Sequence, residues 1–235
     1  MRIYAVGDIH GRLDLLEDCL GQIDRDIALH PDMTPLQIFL GDYIDRGAMS
    51  RQTIDRLIAR GMSHACMFLK GNHELVAMQA LRDLPAFAHW MRLGGVETLM
   101  SYDIAPVISS EREDLLRAQM AFQARLPAAH FRFFAGLRSH YALGNFFFVH
   151  AGVRPGVALD RQKVEDLLWI REPFLSWQLE LGALIVHGHT PTPEVDVRCN
   201  RINIDTGAYS SGRLSCLVAS GSQLHVMDTA GCPTA

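Results

Sequence analysis

Gly41-Asp42-Tyr43-Ile44-Asp45-Arg46-Gly47 is the stretch whose reading decides the fold. It follows Ile38-Phe39-Leu40, a short apolar run that reads as a buried strand. Glycines stand at both ends, so the chain turns there. Two carboxylates and a guanidinium are thus presented beyond the carboxyl end of a strand, where open α/β sheets place their ligands. An Asp in that position can bridge two cations, and an Arg can grip a phosphate with its planar fork of donors. Read alone, the stretch fits a polar turn equally well; its surroundings decide.

Upstream, Arg2–Val6 predicts a strand ending in Gly7-Asp8-Ile9-His10-Gly11. In an extended segment Asp8 and His10 share a face, and a carboxylate with an imidazole can hold one divalent ion. A glycine turn in which Asp8 caps the next helix is the alternative. Leu13, Leu16, Leu20, Ile23 and Ile27 recur at helical steps and predict one buried face, with Pro31 and Pro35 closing the helix. Downstream, Ile54, Leu57 and Ile58 predict a second helix ending at Gly61. A third strand over 65–69 leads into Lys70-Gly71-Asn72-His73-Glu74. Asn72 offers an amide oxygen to a metal or an N-cap to the helix that follows. His73 offers an imidazole for proton transfer. The strand–helix alternation implies parallel pairing with right-handed crossovers.

Residues 84–136 read differently. Pro85, Gly94-Gly95, Pro106 and Pro127 cut them into short helical pieces, a helical insertion on the α/β core, in which Glu111–Asp114 form a solvated charge run. From 138 the pattern turns β-rich. Two runs flank Gly144-Asn145 as a hairpin. The second ends in His150-Ala151-Gly152, an imidazole that alone fits a satisfied core histidine. A helix over 162–168 precedes Trp169-Ile170-Arg171. A strand over 183–186 runs into His187-Gly188-His189-Thr190-Pro191, and short strands around 195–197, 202–204, 214–218 and 224–227 complete the chain. Asp205-Thr206-Gly207 reads as a supporting turn.

The totals narrow the function. The chain has 235 residues, 49% of them hydrophobic, enough for one domain with its own core. With 20% charged residues and a net charge of -4, it carries no nucleic-acid-binding signature. No apolar stretch is long enough to span a bilayer, and no secretory leader is evident. Cys19, Cys66, Cys199, Cys216 and Cys232 are scattered with no C-x-x-C, which fits reduced thiols in the cytoplasm rather than a zinc-thiolate site.

The decisive feature is repetition. Asp8/His10, Asp42/Asp45/Arg46, Asn72/His73, His150 and His187/His189 each follow an apolar strand beside a glycine. Carboxylate, imidazole and amide donors without thiolate suit a pair of divalent ions, manganese first, with iron or zinc as alternatives. Two such ions about 3.5–4 Å apart acidify a bridging water and clamp a phosphoryl oxygen.

With these motifs in order (GDxHG at 7–11, GDxxDRG at 41–47, GNHE at 71–74, then His150-Ala151-Gly152 and Gly188-His189-Thr190-Pro191), the chain resembles the phosphoprotein phosphatase group of calcineurin-like metallophosphoesterases, in its compact bacterial and phage form. The resemblance implies one α/β metallophosphatase sandwich domain over 1–235, with the site at the carboxyl ends of strands. It implies Asp8, His10 and Asp42 as ligands of a first metal, and Asp42, Asn72, His150 and His189 as ligands of a second. It further implies phosphate binding by Arg46 and Arg171 with Asn72 alongside, His73 as general acid and Asp45 as the carboxylate that orients it. The metal-bridging hydroxide would be the nucleophile. His187 stays open as a neighbour of His189. The implied substrate is a phosphorylated protein (on serine or threonine, with tyrosine as an option) or a small phosphoester. A symmetrical dinucleoside tetraphosphatase is the related alternative, although that group usually lacks the equivalents of Asp45 and Glu74. An inactive partner-binding regulator is the alternative of another class.

Overall fold

The computed structural model describes residues 1–107, 111–221 and 223–229; Cys232 lies outside them. β1 (Arg2–Val6), β2 (Pro35–Phe39) and β3 (Cys66–Phe68) pair in parallel, as the alternation predicts. α1 (Leu13–Leu29) and α2 (Ser50–Ser63) make the crossovers between them. Two details differ from expectation. Pro35 opens β2 instead of merely closing α1, a position where a strand tolerates proline. α2 also runs past Gly61 to Ser63, because one glycine weakens a helix without ending it.

After α3 (Asn72–Ala80), the regular structure of the insertion's described part is all helical, with a non-helical link over 102–107. It comprises α4 (Leu84–Trp90), a π-helical turn over Met91–Gly95, α5 (Val96–Ser101), α6 (Arg112–Arg125) and α7 (Ala128–Gly136). The hairpin follows as β4 (His140–Leu143) and β5 (Phe146–Val149), then α8 (Val164–Trp169), β6 (Leu184–His187), β7 (Asp196–Val197) and β8 (Arg201–Asn203). A short helix absent from the sequence reading, α9 (Ala208–Ser211), precedes β9 (Ser215–Ser220) and β10 (Gln223–Asp228).

The strands form two mixed sheets, in the orders β10-β9-β1-β2-β3 and β4-β5-β6-β8-β7. Strand alternation explains how they pack. Ile3 and Ala5 of β1 and Ile38 of β2 point at the second sheet and meet Phe148, Val186 and Ile202. Tyr4, Val6 and Phe39 point the other way, into a core shared with α1, α2 and the insertion. Phe147, Val149 and Ile185 face outward from the second sheet onto Leu167 of α8 and onto Phe174. The result is a sheet-on-sheet sandwich flanked by helices, the expected α/β class. Among the described residues, no helix is long and apolar enough to cross a membrane.

Candidate metal centre

β1, β2 and β3 run parallel, as do β5 and β6, so five strand ends deliver loops to one place. These turns are tight. His10, Asp42, Asp45, Arg46 and His189 all take left-handed backbone conformations, with φ of 48°, 51°, 73°, 67° and 67°. A non-glycine residue held there costs on the order of 1–3 kcal/mol, and it persists only where its surroundings over-determine it. At Asp42 the buried Glu74 carboxylate does so. It accepts the backbone N–H groups of Asp42 (2.9 Å), Gly71 (2.9 Å), Tyr43 (2.8 Å) and Ile44 (3.3 Å). Gly71 must also be glycine, because a Cβ there would collide with Asp42 Oδ1.

Backbone carbonyls aim the imidazoles. His10 Nδ1 bonds Ile44 O at 2.8 Å, which leaves Nε2 facing Asp42 Oδ2 at 3.5 Å. His150 Nδ1 bonds Leu40 O at 3.0 Å, which leaves Nε2 2.8 Å from Asn72 Oδ1 and 3.4 Å from Asp42 Oδ1. His189 Nδ1 lies 2.9 Å from the same Asn72 oxygen, and its backbone N–H donates to Asp8 Oδ2 at 3.0 Å. Two groups have ligand atoms mutually within 4.8 Å: His10, Asp42 and His73, and Asp42, His150 and His189. Asp42 belongs to both. Asp8 borders them without belonging to either.

Electrostatics match a cation-binding site. Burial lowers His10 and His189 to about 3, which keeps both imidazoles neutral, the form that ligates metals. Burial raises the Asp8 carboxyl well above its usual range, and the Asp205 charge adds to this. At His150 burial is outweighed by the carboxylates of Asp42, Asp8 and Glu74, which push it up to about 10. Positive charge is therefore wanted at this point. Asp8 Oδ1 and His189 Nε2 are buried without a hydrogen-bond partner among the described residues. The oxygen and nitrogen donors, with no cysteine, suit divalent ions.

A second arrangement adjoins the first. His73 Nδ1 bonds Asp45 Oδ2 at 2.7 Å, and Asp45 also accepts Trp90 Nε1 (2.8 Å) and Thr98 Oγ1 (2.6 Å). Burial alone would lower His73; the Asp42 and Asp45 carboxylates outweigh it and raise the imidazole above its ordinary value. The Arg46 guanidinium sits 3.3 Å from both His10 Nε2 and His73 Nε2, with its face on the Tyr209 ring at 4.6 Å.

The structure thus gathers Asp8, His10, Asp42, Asp45, Arg46, Asn72, His73, His150 and His189. Asn72 is the first residue of α3, and its side chain points into the cluster instead of capping the helix. Arg171 is exposed at the margin, close enough for its charge to act on His189. His187 is elsewhere. Its ring packs edge-on to Phe174 at 4.9 Å, because the left-handed φ of His189 breaks the alternation that would have put both on one face. Asp205 is more than a turn: it is buried and burial raises it to about 6. Trp90, Thr98 and Tyr209 carried no sequence signal, since each lies outside any motif and reaches the site only through tertiary packing.

The family profile described as Calcineurin-like phosphoesterase matches residues 1–214. The chain belongs to the calcineurin-like phosphoesterase family. It is a metallophosphoesterase, a hydrolase in class. Among similar proteins, a "Bis(5'-nucleosyl)-tetraphosphatase PrpE [asymmetrical]" of Anoxybacillus flavithermus is 29% identical, covering 90% of this chain and 88% of its own. A "Serine/threonine-protein phosphatase 2" of Salmonella typhimurium is 27% identical, covering 91% and 90%. A solved "putative diadenosine tetraphosphatase" shares the fold, with a TM-score of 0.63 at 20% identity, over 99% of this chain and 95% of that one. The nucleotide-cleaving relative is named asymmetrical, which corrects the symmetrical alternative drawn from the sequence.

Proposed function

We propose that this metallophosphoesterase hydrolyses phosphate monoesters, with serine or threonine phosphoproteins as the substrate class. The observation that carries this is the Asp45–His73 pair beside Arg46. An alkoxide leaving from phosphoserine needs a proton, whereas a nucleotide leaving through a phosphoanhydride oxygen needs it far less. A buried carboxylate that holds an imidazole at the phosphate site is therefore of most use against an alkyl ester.

Two divalent ions, on Asp8, His10 and Asp42 and on Asp42, Asn72, His150 and His189, would supply an acidified water and positive charge against the phosphoryl oxygens. The remaining work falls to this chain's own groups. Arg46, oriented by the Tyr209 ring, binds two phosphoryl oxygens; Arg171 closes on the phosphate from the margin, and Asn72 stands beside it. The water oxygen bonds to phosphorus, the bond to the alcohol oxygen breaks, and that oxygen takes the proton held on His73 Nε2. Asp45 holds His73 through Nδ1, so Nε2 is the nitrogen that faces the leaving group.

The relative named an asymmetrical tetraphosphatase favours a second reading, cleavage of a dinucleoside tetraphosphate. The test sets chelator-stripped protein, reloaded with Mn²⁺, against a phosphopeptide panel and diadenosine tetraphosphate. Release of inorganic phosphate from phosphoserine and phosphothreonine peptides, with slow nucleotide cleavage, is expected. Efficient conversion of the dinucleotide to ATP and AMP, with inert peptides, would replace the first reading by the second.

A further inference from the structure

The helical insertion touches the catalytic loop at three consecutive points. Trp90, at the end of α4, donates its Nε1–H to Asp45 Oδ2 at 2.8 Å. Gly94, in the π-helical turn, offers its carbonyl to the Arg46 N–H at 3.1 Å. Thr98, in α5, donates its hydroxyl to Asp45 Oδ1 at 2.6 Å and accepts the Asp45 N–H at 2.9 Å. Both carboxylate oxygens of Asp45 are therefore tied to one segment, and its backbone N–H is shared between Thr98 of that segment and Ser50 of α2. The indole is itself locked, with its ring 5.0 Å from Phe122 and 6.0 Å from Phe87. Asp45 and Trp90 are fully buried and Thr98 is 1% exposed, so no water competes for these bonds.

Generic packing would not need this pattern. A fully buried carboxyl group requires hydrogen-bond partners on both oxygens. Here the two donors other than His73 come from the insertion, and they leave one direction of Oδ2 for His73 Nδ1. A hydroxyl that donates to a carboxylate while accepting from the same residue's N–H fixes that side chain's rotation about Cα–Cβ.

We propose that the segment Leu84–Ser101 is a positioning device for proton delivery, in which Trp90 and Thr98 hold Asp45 so that His73 Nε2 faces the leaving oxygen. The inference rests on the reading of His73 as proton donor. Trp90 and Thr98 touch no substrate; they are positioning residues that act through Asp45. Their removal should hurt substrates in proportion to how badly the leaving group needs a proton.

The experiment uses the Mn²⁺-loaded full chain and two substrates, a phosphoserine peptide and p-nitrophenyl phosphate, whose leaving group departs without protonation. Trp90→Phe keeps the buried ring and removes the N–H; Thr98→Val keeps the shape and removes the hydroxyl. For each, kcat on the peptide should fall about tenfold or more, a share of what general acid catalysis contributes. Turnover of p-nitrophenyl phosphate should fall much less, with KM and bound metal close to wild type. Thr98→Ser should restore peptide turnover. An equal fall on both substrates would reduce the segment to a structural role and overturn the proposal, as would no fall on either. His73→Asn is the reference. If it shows the leaving-group dependence and the two positioning variants do not, the clamp alone is wrong. If His73→Asn shows none, the proton-donor reading fails and takes the clamp with it.

Discussion

Asp42 is where the chemistry of the site converges. Its Oδ2 faces His10, its Oδ1 faces His150, and its backbone N–H is held by Glu74. Burial opposes its charge, yet the surrounding imidazoles of His150, His73 and His10 pull its carboxyl well below the usual range. A group shared by both clusters cannot be replaced by a neutral amide without weakening both. Asp42→Asn should therefore lower bound metal in elemental analysis and cut kcat/KM by at least about a hundredfold, the scale seen when a centre loses charge aimed at the transition state. Full metal occupancy with wild-type turnover would remove Asp42 from the centre. Glu74 is a different case, because its carboxylate accepts N–H groups on both oxygens. In Glu74→Gln one end becomes an NH₂ that faces backbone donors, and buried unsatisfied donors cost about 1–3 kcal/mol each. Urea unfolding should show a loss of at least about 2 kcal/mol; an unchanged midpoint would mean that the loop holds its left-handed turns without this carboxylate.

At the scale of elements, β1 and α1 are joined through Asp26, which accepts Arg2 Nε at 2.6 Å and the Tyr4 hydroxyl at 2.7 Å. Burial opposes its ionisation, but the bonds from Arg2 and Tyr4 prevail and lower the carboxyl below its ordinary 3.8. A depressed carboxylate contributes stability above its unfolded value and loses it as pH falls through the folded one. Asp26→Asn should thus destabilise by about 1–3 kcal/mol near neutral pH, the range for hydrogen bonds to charged groups. The difference should shrink only below pH 3.8. A difference that is constant with pH would assign the effect to shape. The elements themselves were mostly legible. Leu16, Leu20 and Ile23 gave α1 its buried face, and Phe147/Phe148 alternate between two cores as a buried strand must. The residues that the structure gathers into the cluster were legible because each lies within two positions of a glycine at a strand end. The alternation argument failed for His187 and His189, since alternation holds only while the backbone stays extended. Trp90 and Thr98 were not legible, because helical periodicity tells which face is buried and not which N–H meets a carboxylate 45 or 53 positions away.

At the scale of the molecule, the centre lies on the seam between two sheets. Asp8, His10, Asp42 and Asn72 follow strands of the first, and His150 and His189 follow strands of the second. The sheets already share an apolar interface in which Ile38 and Ile202 are almost fully buried. Its edge, however, ends in buried carboxylates and imidazoles, where burial pushes the Asp8 carboxyl up and the Asp42, Asp8 and Glu74 carboxylates push His150 up. An ion held by groups from both sheets would engage them together in the folded state and have no such set of groups in the unfolded chain. Binding that selects the folded state stabilises by about 2.7 kcal/mol at a hundred times the dissociation constant. For a chain of this size that corresponds to a rise in Tm of about 5–10 °C. Calorimetry of the chelator-stripped protein against the Mn²⁺-loaded protein should show that rise in wild type and little of it in Asp42→Asn, which keeps the apolar seam intact. The same rise in both proteins would place the stabilising ion away from the seam. No rise in wild type would mean that the apolar interface alone holds the two sheets in register.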